Sequence, residues 1–338
     1  MIQESDRVGY LKDGLQIHRI LNGMWQVSGA HGPIDRKAAI KNMRDYAEHG
    51  FVTWDLADHY GPAEDFVKDF RESLIKEGKQ ELLSKMKFFT KWVPRPQKIT
   101  RDVVKKAIDL SRRRMGMEVL DMVQFHWWDY DNKEYLNAMQ YLDELREKDI
   151  IKHLGVTNFD TKRMQEFVDL GINVISNQVQ YSLIDRRPER KMAQLCKKND
   201  IKLLVYGTLG GGLLTERFLN KPSPSRYELQ TASLQKYRNM VYRWGDWELF
   251  QKLLTTLREI AKKHEVSIAN VAVRYVLQKE FVGGAIIGAR LGISDHITEN
   301  ARVFNFSLEN KDLQEIEAIL IDSNDLLKII GDCGDEYR

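Results

Sequence analysis

The chain has 338 residues, of which 43% are hydrophobic and 30% charged, enough apolar material for a large folded core and too much for a disordered polymer. Its 52 basic and 49 acidic residues leave a formal charge of +3 spread along the sequence, so no nucleic-acid partner is expected; the one compact basic run, Arg112-Arg113-Arg114, reads as the solvated end of a helix. Cys196 and Cys333 lack the clustering of a zinc site or disulfide scaffold, and there is no N-terminal secretory segment or bilayer-length apolar run, which predicts a cytoplasmic protein without metal or membrane partner.

Residues 1–19 come first in chain order. Gly9 to Ile17 carries an Asp13-Gly14 turn and predicts a β-hairpin able to plug the bottom of a barrel. Short apolar runs then recur at 20–24, 51–54, 82–86, 120–125, 152–156, 174–178, 202–206 and 285–287. Segments of helical period separate them, at 36–48, 63–76, 102–114, 133–147, 162–170, 189–198, 248–263 and 268–278, with Thr100 and Ser267 as N-caps. Repeated strand-helix units of this kind predict an α/β fold, a (β/α)8 TIM barrel with an N-terminal hairpin and long βα loops, in a single domain over 1–338.

The longest interruption runs over 209–247. Gly210-Gly211-Gly212, Pro222 and Pro224 break it, and a short helix is expected near 234–242. Tyr227, Tyr237, Tyr242, Trp244 and Trp247 are costly to leave exposed, so the segment either closes over a ligand or packs as a static flap.

Chemistry gathers at the expected strand ends. Phe51 to Gly61 takes an apolar run into Asp55, Asp58, His59 and Tyr60; Ser84-Lys85 sits on the third expected strand, and His126 ends the fourth. Singly, each has a bland reading as a strand terminus, a snorkelling lysine or a structural histidine. A barrel brings all four ends to one mouth, where Asp55, Tyr60, Lys85 and His126 can move a proton.

With those residues in place, the sequence resembles the aldo-keto reductase family over almost its whole length. The resemblance implies that Asp55, Tyr60, Lys85 and His126 are the catalytic quartet and that a nicotinamide cofactor is used. No Gly-x-Gly-x-x-Gly fingerprint is present, which argues against a Rossmann domain and leaves this cofactor class open. Gly155-Val156-Thr157-Asn158-Phe159 and Asn177-Gln178 resemble the family's nicotinamide-binding elements. That likeness gives Thr157, Asn158 and Gln178 the polar roles and makes Tyr206 the ring packed on the nicotinamide face.

The stretch from Gly283 to Arg290 and on to Glu299-Asn300 resembles the phosphate and adenine region. Gly288, Arg290, Glu299 and Asn300 are thereby implied as cofactor contacts, with Arg290 opposite the 2′-phosphate, so NADPH/NADP+ is preferred over NADH/NAD+. The implied reaction reduces a small-molecule aldehyde or ketone, with Tyr60 as proton donor. Trp25, His59, Trp92 and Trp127 are the expected substrate contacts, Trp127 because it follows His126; Trp128 ranks lower. The alternative is a cofactor-sensing regulatory protein on the same barrel. Exact substrate and oligomeric partners are not encoded in any motif.

Overall fold

Two layers of alternation build the molecule. In the computed structural model, which describes residues 4–29, 34–225, 227–229, 231–294 and 296–338, strands β1 (Val8–Tyr10) and β2 (Gln16–His18) form the antiparallel N-terminal hairpin, Val8 opposite His18 and Tyr10 opposite Gln16. Of the expected hairpin region, residues 1–3 lie outside the described residues. The turn places Asp13 at φ 62° and Gly14 at φ 72°, left-handed conformations that Gly and Asp tolerate best. Leu11, Leu15 and Ile17 bury themselves against barrel-interior side chains, among them Phe89, Met122 and Ile175. At up to about 1.5–3 kcal/mol for each large apolar side chain, this burial makes the hairpin the stopper at one end.

The barrel strands are β3 (Ile20–Gly23), β4 (Thr53–Asp55), β5 (Lys87–Trp92), β6 (Leu120–His126), β7 (Ile151–Thr157), β8 (Val174–Gln180), β9 (Lys202–Tyr206) and β10 (Val282–Gly288). They pair in parallel in that order, and β10 closes back onto β3. Between them run α1 (Arg36–Glu48), α2 (Ala63–Lys76), α3 (Gln80–Lys85), α4 (Arg101–Met115), α5 (Glu134–Glu147), α6 (Thr161–Asp169), α7 (Lys191–Lys198), α8 (Ala232–Trp244), α9 (Trp247–Lys263) and α10 (Ile268–Leu277). The chain ends with α11 (Ile297–Arg302), α12 (Asn310–Leu320) and α13 (Leu326–Ile329).

The two expected caps are made: Thr100 Oγ1 accepts from Val103 N, and Ser267 forms a reciprocal capping box with Asn270. Each satisfies backbone donors that a helix start leaves without an intrahelical partner.

One expected strand is misplaced in the sequence reading. Residues 80–85 form α3, and the strand begins two residues later, at Lys87. Gln-Glu-Leu-Leu-Ser-Lys is mostly good helix formers, and Lys85 pairs with Glu81 one turn back at 2.8 Å. Phe-Phe-Thr-Lys-Trp, with its aromatic and β-branched residues, is the better strand.

The interruption at 209–247 contains α8, longer than expected, with Leu234, Tyr237, Met240, Val241 and Trp244 buried; Arg226 and Gln230 lie outside the described residues. Gly207 shows how closely α8 sits on the barrel. A Cβ there would lie 2.3 Å from the Tyr237 hydroxyl, and its φ is +74°. After α13 the chain comes back across the strand ends, where residues 334–338 touch Trp127, Asn158 and Tyr206.

Candidate active site

Strand pleating decides which side chains meet at the mouth. Along β5, Phe89 and Lys91 face the barrel axis, while Phe88, Thr90 and Trp92 face the helices; Thr90 Oγ1 donates to Glu64 on α2. The inward group at the end of β5 is therefore Lys91. Its Nζ lies 2.6 Å from Asp55 Oδ2 and donates to Leu56 O at 3.0 Å. Lys85, the expected lysine, is an exposed residue of α3 and is not part of this cluster. Thr90-Lys91 repeats the hydroxyl-lysine pair of Ser84-Lys85 inside a much stronger β pattern, which is the signal that could have found it.

Asp55 is buried and fully engaged. Its Oδ1 accepts from Gln124 Nε2 at 2.8 Å and Gln178 Nε2 at 2.7 Å, and Gln178 also donates to Gln124 Oε1 at 2.8 Å. These groups form a polar layer across the barrel, each with partners, as buried polar groups require. Gln124 was missed in the sequence because it sits in the middle of its strand and not at the end, where polar residues mark the mouth.

Tyr60 stands above this layer on the loop after β4, its ring centroid 5.0 Å from the Lys91 ammonium. Burial, then Asp55 and Asp58, push the phenol's pKa well above its ordinary value, so the hydroxyl keeps its proton at neutral pH. Burial pulls the Lys91 pKa down, and the charge and hydrogen bond of Asp55 oppose it. His126, at the end of β6, is also buried, with Nδ1 2.8 Å from Thr157 O. A carbonyl oxygen only accepts, so Nδ1 carries the proton and Nε2 presents a lone pair in the neutral ring. Burial lowers the His126 pKa to about 4 against the pull of that hydrogen bond, which keeps the ring neutral at pH 7. Nε2 has no partner among the described residues.

Two exposed tryptophans flank the pair. Trp25 packs edge-on to Tyr60 at 5.0 Å, and Trp128 packs edge-on to His126 at 4.3 Å. His59 also packs on Tyr60, at 4.9 Å, with Nδ1 2.9 Å from Asp58 Oδ1. Trp92 and Trp127 do not line the mouth. Both are buried against Phe125 on the helix-facing side, and Trp127 Nε1 donates to the carbonyls of Asp129 and Asn132. The pleat explains it: Phe125 and Trp127 share one side, His126 and Trp128 the other. The residue next to the histidine in sequence is the wrong one; the residue two along faces the site.

Thr157 and Gln178 reach the same mouth. Thr157 Oγ1 is buried with no partner among the described residues, a hydroxyl suited to an amide such as a carboxamide. Asn158 takes φ 57°, and its Oδ1 accepts from Tyr206 OH at 2.8 Å. Gly288 ends β10, where a Cβ would approach Gln26 Nε2 to 3.0 Å. Arg290 is exposed with no side-chain partner among the described residues. Glu299 is less free than the resemblance implied, because its Oε1 accepts from Ser267 Oγ at the start of α10. Asn300 is buried beside it on α11.

The closed parallel barrel has counterparts among known proteins. A model of the Aldo/keto reductase family matches residues 19–321. The chain belongs to the aldo/keto reductase family. Aldo-keto reductases are oxidoreductases that use nicotinamide cofactors. L-glyceraldehyde 3-phosphate reductase of Escherichia coli strain K12 is 24% identical over 324 residues, 92% of this chain and 91% of that one. The NADH-specific methylglyoxal reductase of the same strain is 22% identical over 320 residues, 88% of this chain and 93% of that one. Among solved structures, glycerol dehydrogenase from Gluconobacter oxydans superposes with a TM-score of 0.75 at 20% identity, covering 97% of each chain. That last likeness speaks for the fold alone. No described helix is long and apolar enough to cross a membrane.

Proposed function

We propose that this aldo-keto reductase reduces an aldehyde or ketone to the alcohol, using NADPH in preference to NADH, with Tyr60 as the proton donor. The observation that carries this reading is the proton-bearing phenol of Tyr60 held over the Lys91–Asp55 ion pair, beside the unpartnered Nε2 of His126. A reduced nicotinamide, when bound, supplies the hydride that adds to the carbonyl carbon. Thr157, Asn158 and Gln178 would hold its carboxamide, with Tyr206 beside the ring.

Proton delivery belongs to the chain's own residues. As the carbonyl oxygen gains charge, Tyr60 donates its proton, and the phenolate left behind is stabilised by the Lys91 ammonium. Asp55 holds Lys91 in place and is held in turn by Gln124 and Gln178. His126 presents a lone pair, so in reduction Tyr60 is the donor of the two. Nε2 can accept the newly formed hydroxyl and hold the alcohol oxygen near Tyr60. Trp25 and Trp128 would form the apolar walls around the substrate, as their exposed rings at the site support.

Support for NADPH comes from the exposed guanidinium of Arg290, which has no side-chain partner among the described residues, the chemistry a 2′-phosphate calls for. The NADH-specific relative makes this preference a matter for measurement. Two buried free thiols, Cys196 and Cys333, are compatible with the proposed cytoplasmic residence. Tyr60→Phe tests the chemistry. Turnover of a verified aldehyde is expected to fall at least a hundredfold while NADPH affinity, followed by fluorescence titration, stays within about threefold; near-normal turnover would remove Tyr60 as the acid.

A further inference from the structure

The basic run that ends α4 is more than a solvated helix end. Arg113 is exposed with no side-chain partner among the described residues, and Arg112 stays local, donating to Asp109 Oδ1 at 2.8 Å and Glu118 O at 2.6 Å. Arg114 reaches inward instead. Its Nη1 donates to Asp58 O at 3.2 Å and lies 3.5 Å from Oε2 of Glu64, a carboxylate 2% exposed.

Each of these two partners stands next to a catalytic group. Glu64 Oε1 accepts from Thr90 Oγ1 at 2.8 Å, and Thr90 precedes Lys91 on β5. Asp58 comes two residues before Tyr60 on the loop after β4, and all of its polar atoms are held. Its N donates to Lys91 O at 3.0 Å, Oδ2 accepts from Val93 N at 3.2 Å, Oδ1 lies 2.9 Å from His59 Nδ1, and O takes Arg114. Tyr60 N then donates to Ala57 O and Tyr60 O accepts from Ala63 N, both at 3.1 Å, which carries the loop into α2 one residue ahead of Glu64.

A guanidinium has donors enough to serve a carbonyl and a carboxylate together. Glu64 Oε2 accepts no hydrogen bond among the described residues, so the Arg114 charge is what faces it. Burial pushes the Glu64 pKa up, and the hydroxyls of Ser111 and Thr90 and the Arg114 charge pull it back. The buried carboxylate thereby holds the guanidinium, and the guanidinium holds the Asp58 carbonyl. We propose that Arg114 is a positioning residue for proton transfer: from outside the barrel it ties the loop of Tyr60 to the strand of Lys91 and so fixes phenol against ammonium. The proposal rests on the reductase reading of the site, with Tyr60 as donor. Arg114 touches none of the groups proposed to hold cofactor or substrate, so its loss falls on kcat. A shift of about 1 Å between reacting groups costs up to about a hundredfold in rate.

The test compares the unaltered protein with Arg114→Met, Arg114→Lys and a neighbouring control, Arg113→Met, on a verified aldehyde. Arg114→Met is expected to lower kcat about tenfold or more, with KM and the NADPH affinity read by fluorescence titration each within about twofold. Arg114→Lys, which keeps a charge and a donor, should recover most of that loss, and Arg113→Met should show none. A kcat for Arg114→Met within about twofold of the unaltered protein overturns the proposal, as does a loss carried by KM or cofactor affinity, or one that Arg114→Lys shares in full. Arg114→Met also strands the buried Glu64 carboxylate, which by itself destabilises the fold. Adding Glu64→Gln removes that charge and leaves the tether broken; kcat is expected to stay low, and its return to the unaltered value overturns the proposal.

Hydrogen exchange of the backbone amides over residues 58–63 reads the tether without turnover. Exchange about fivefold faster or more in Arg114→Met, and restored in Arg114→Lys, is the expected result. Unchanged exchange in Arg114→Met overturns the proposal. If the unaltered protein reduces no aldehyde or ketone with NADPH or NADH, the reductase reading fails, and exchange alone then decides whether Arg114 fixes the loop.

Discussion

Replacing Lys91 with methionine separates two lysines that look alike in the sequence. Lys91 is 2% exposed and pairs with a buried carboxylate at 2.6 Å. Removing it leaves Asp55 in the barrel interior with its charge uncompensated, which in other buried pairs costs about 3–5 kcal/mol. Two contacts soften the loss. Gln124 and Gln178 still donate to Oδ1, and the methionine stem fills most of the vacated space, so a destabilisation of about 3 kcal/mol is expected.

Catalysis should suffer more than folding, because the phenolate of Tyr60 then forms without a cation beside it; a fall of about a hundredfold or greater in kcat is expected. Lys85→Met, on the exposed face of α3, should change neither quantity measurably. Urea unfolding and steady-state turnover of the two variants make the comparison. Adding Asp55→Asn to Lys91→Met should return part of the stability, since no unpaired charge then remains, but none of the activity. Loss of turnover in Lys85→Met with a normal Lys91→Met would refute the assignment, and an unfolding free energy for Lys91→Met within 1 kcal/mol of the starting protein would refute the energetic argument.

Two further outcomes are open to measurement. Arg290→Ala should weaken NADPH binding about tenfold more than NADH binding, and equal losses would exclude a direct contact with the 2′-phosphate. His126 and His18 are both buried with pKa values lowered to about 4, against an ordinary value near 6.5. Below about pH 6.5 the unfolded chain takes up protons that these folded imidazoles refuse, so the stability each contributes is whole above that pH and lost as pH falls toward 4, on the order of 3 kcal/mol per residue. Unfolding free energies at pH 7 and 4.5 should fall less for His18→Asn than for the starting protein; an identical pH dependence would mean that His18 titrates normally.

The local order of the chain was legible without a structure because it is written in short-range periodicity. The α1 and α2 segments, the β9 strand, both helix caps and the Asp13-Gly14 hairpin turn follow from propensity, capping chemistry and left-handed backbone geometry. Asp55, Tyr60 and His126 were readable for a related reason: polar residues that end apolar strands meet when a parallel barrel closes. What local pattern could not settle was direction. Lys91 takes the site because β5 begins at Lys87 and leaves Lys85 in the preceding helix, and Trp128 rather than Trp127 faces it because alternate side chains go to opposite sides.

The remaining parts depend on contacts between residues far apart in the chain. Gln124 and Gln178 join Asp55 only after β4, β6 and β8 curve around one axis. The closing segment that brings Arg338 to Trp127 and Asn158 carries no motif at all; its place is fixed by the ion pair of Glu336 with Arg187 and by Gly334, where any Cβ would press on the Asn158 carbonyl at 2.1 Å. Sequence determined which elements form and which chemistry they can carry. Tertiary structure decided which of those groups share the mouth, because side-chain direction and long-range closure are properties of the packed barrel and not of any one segment.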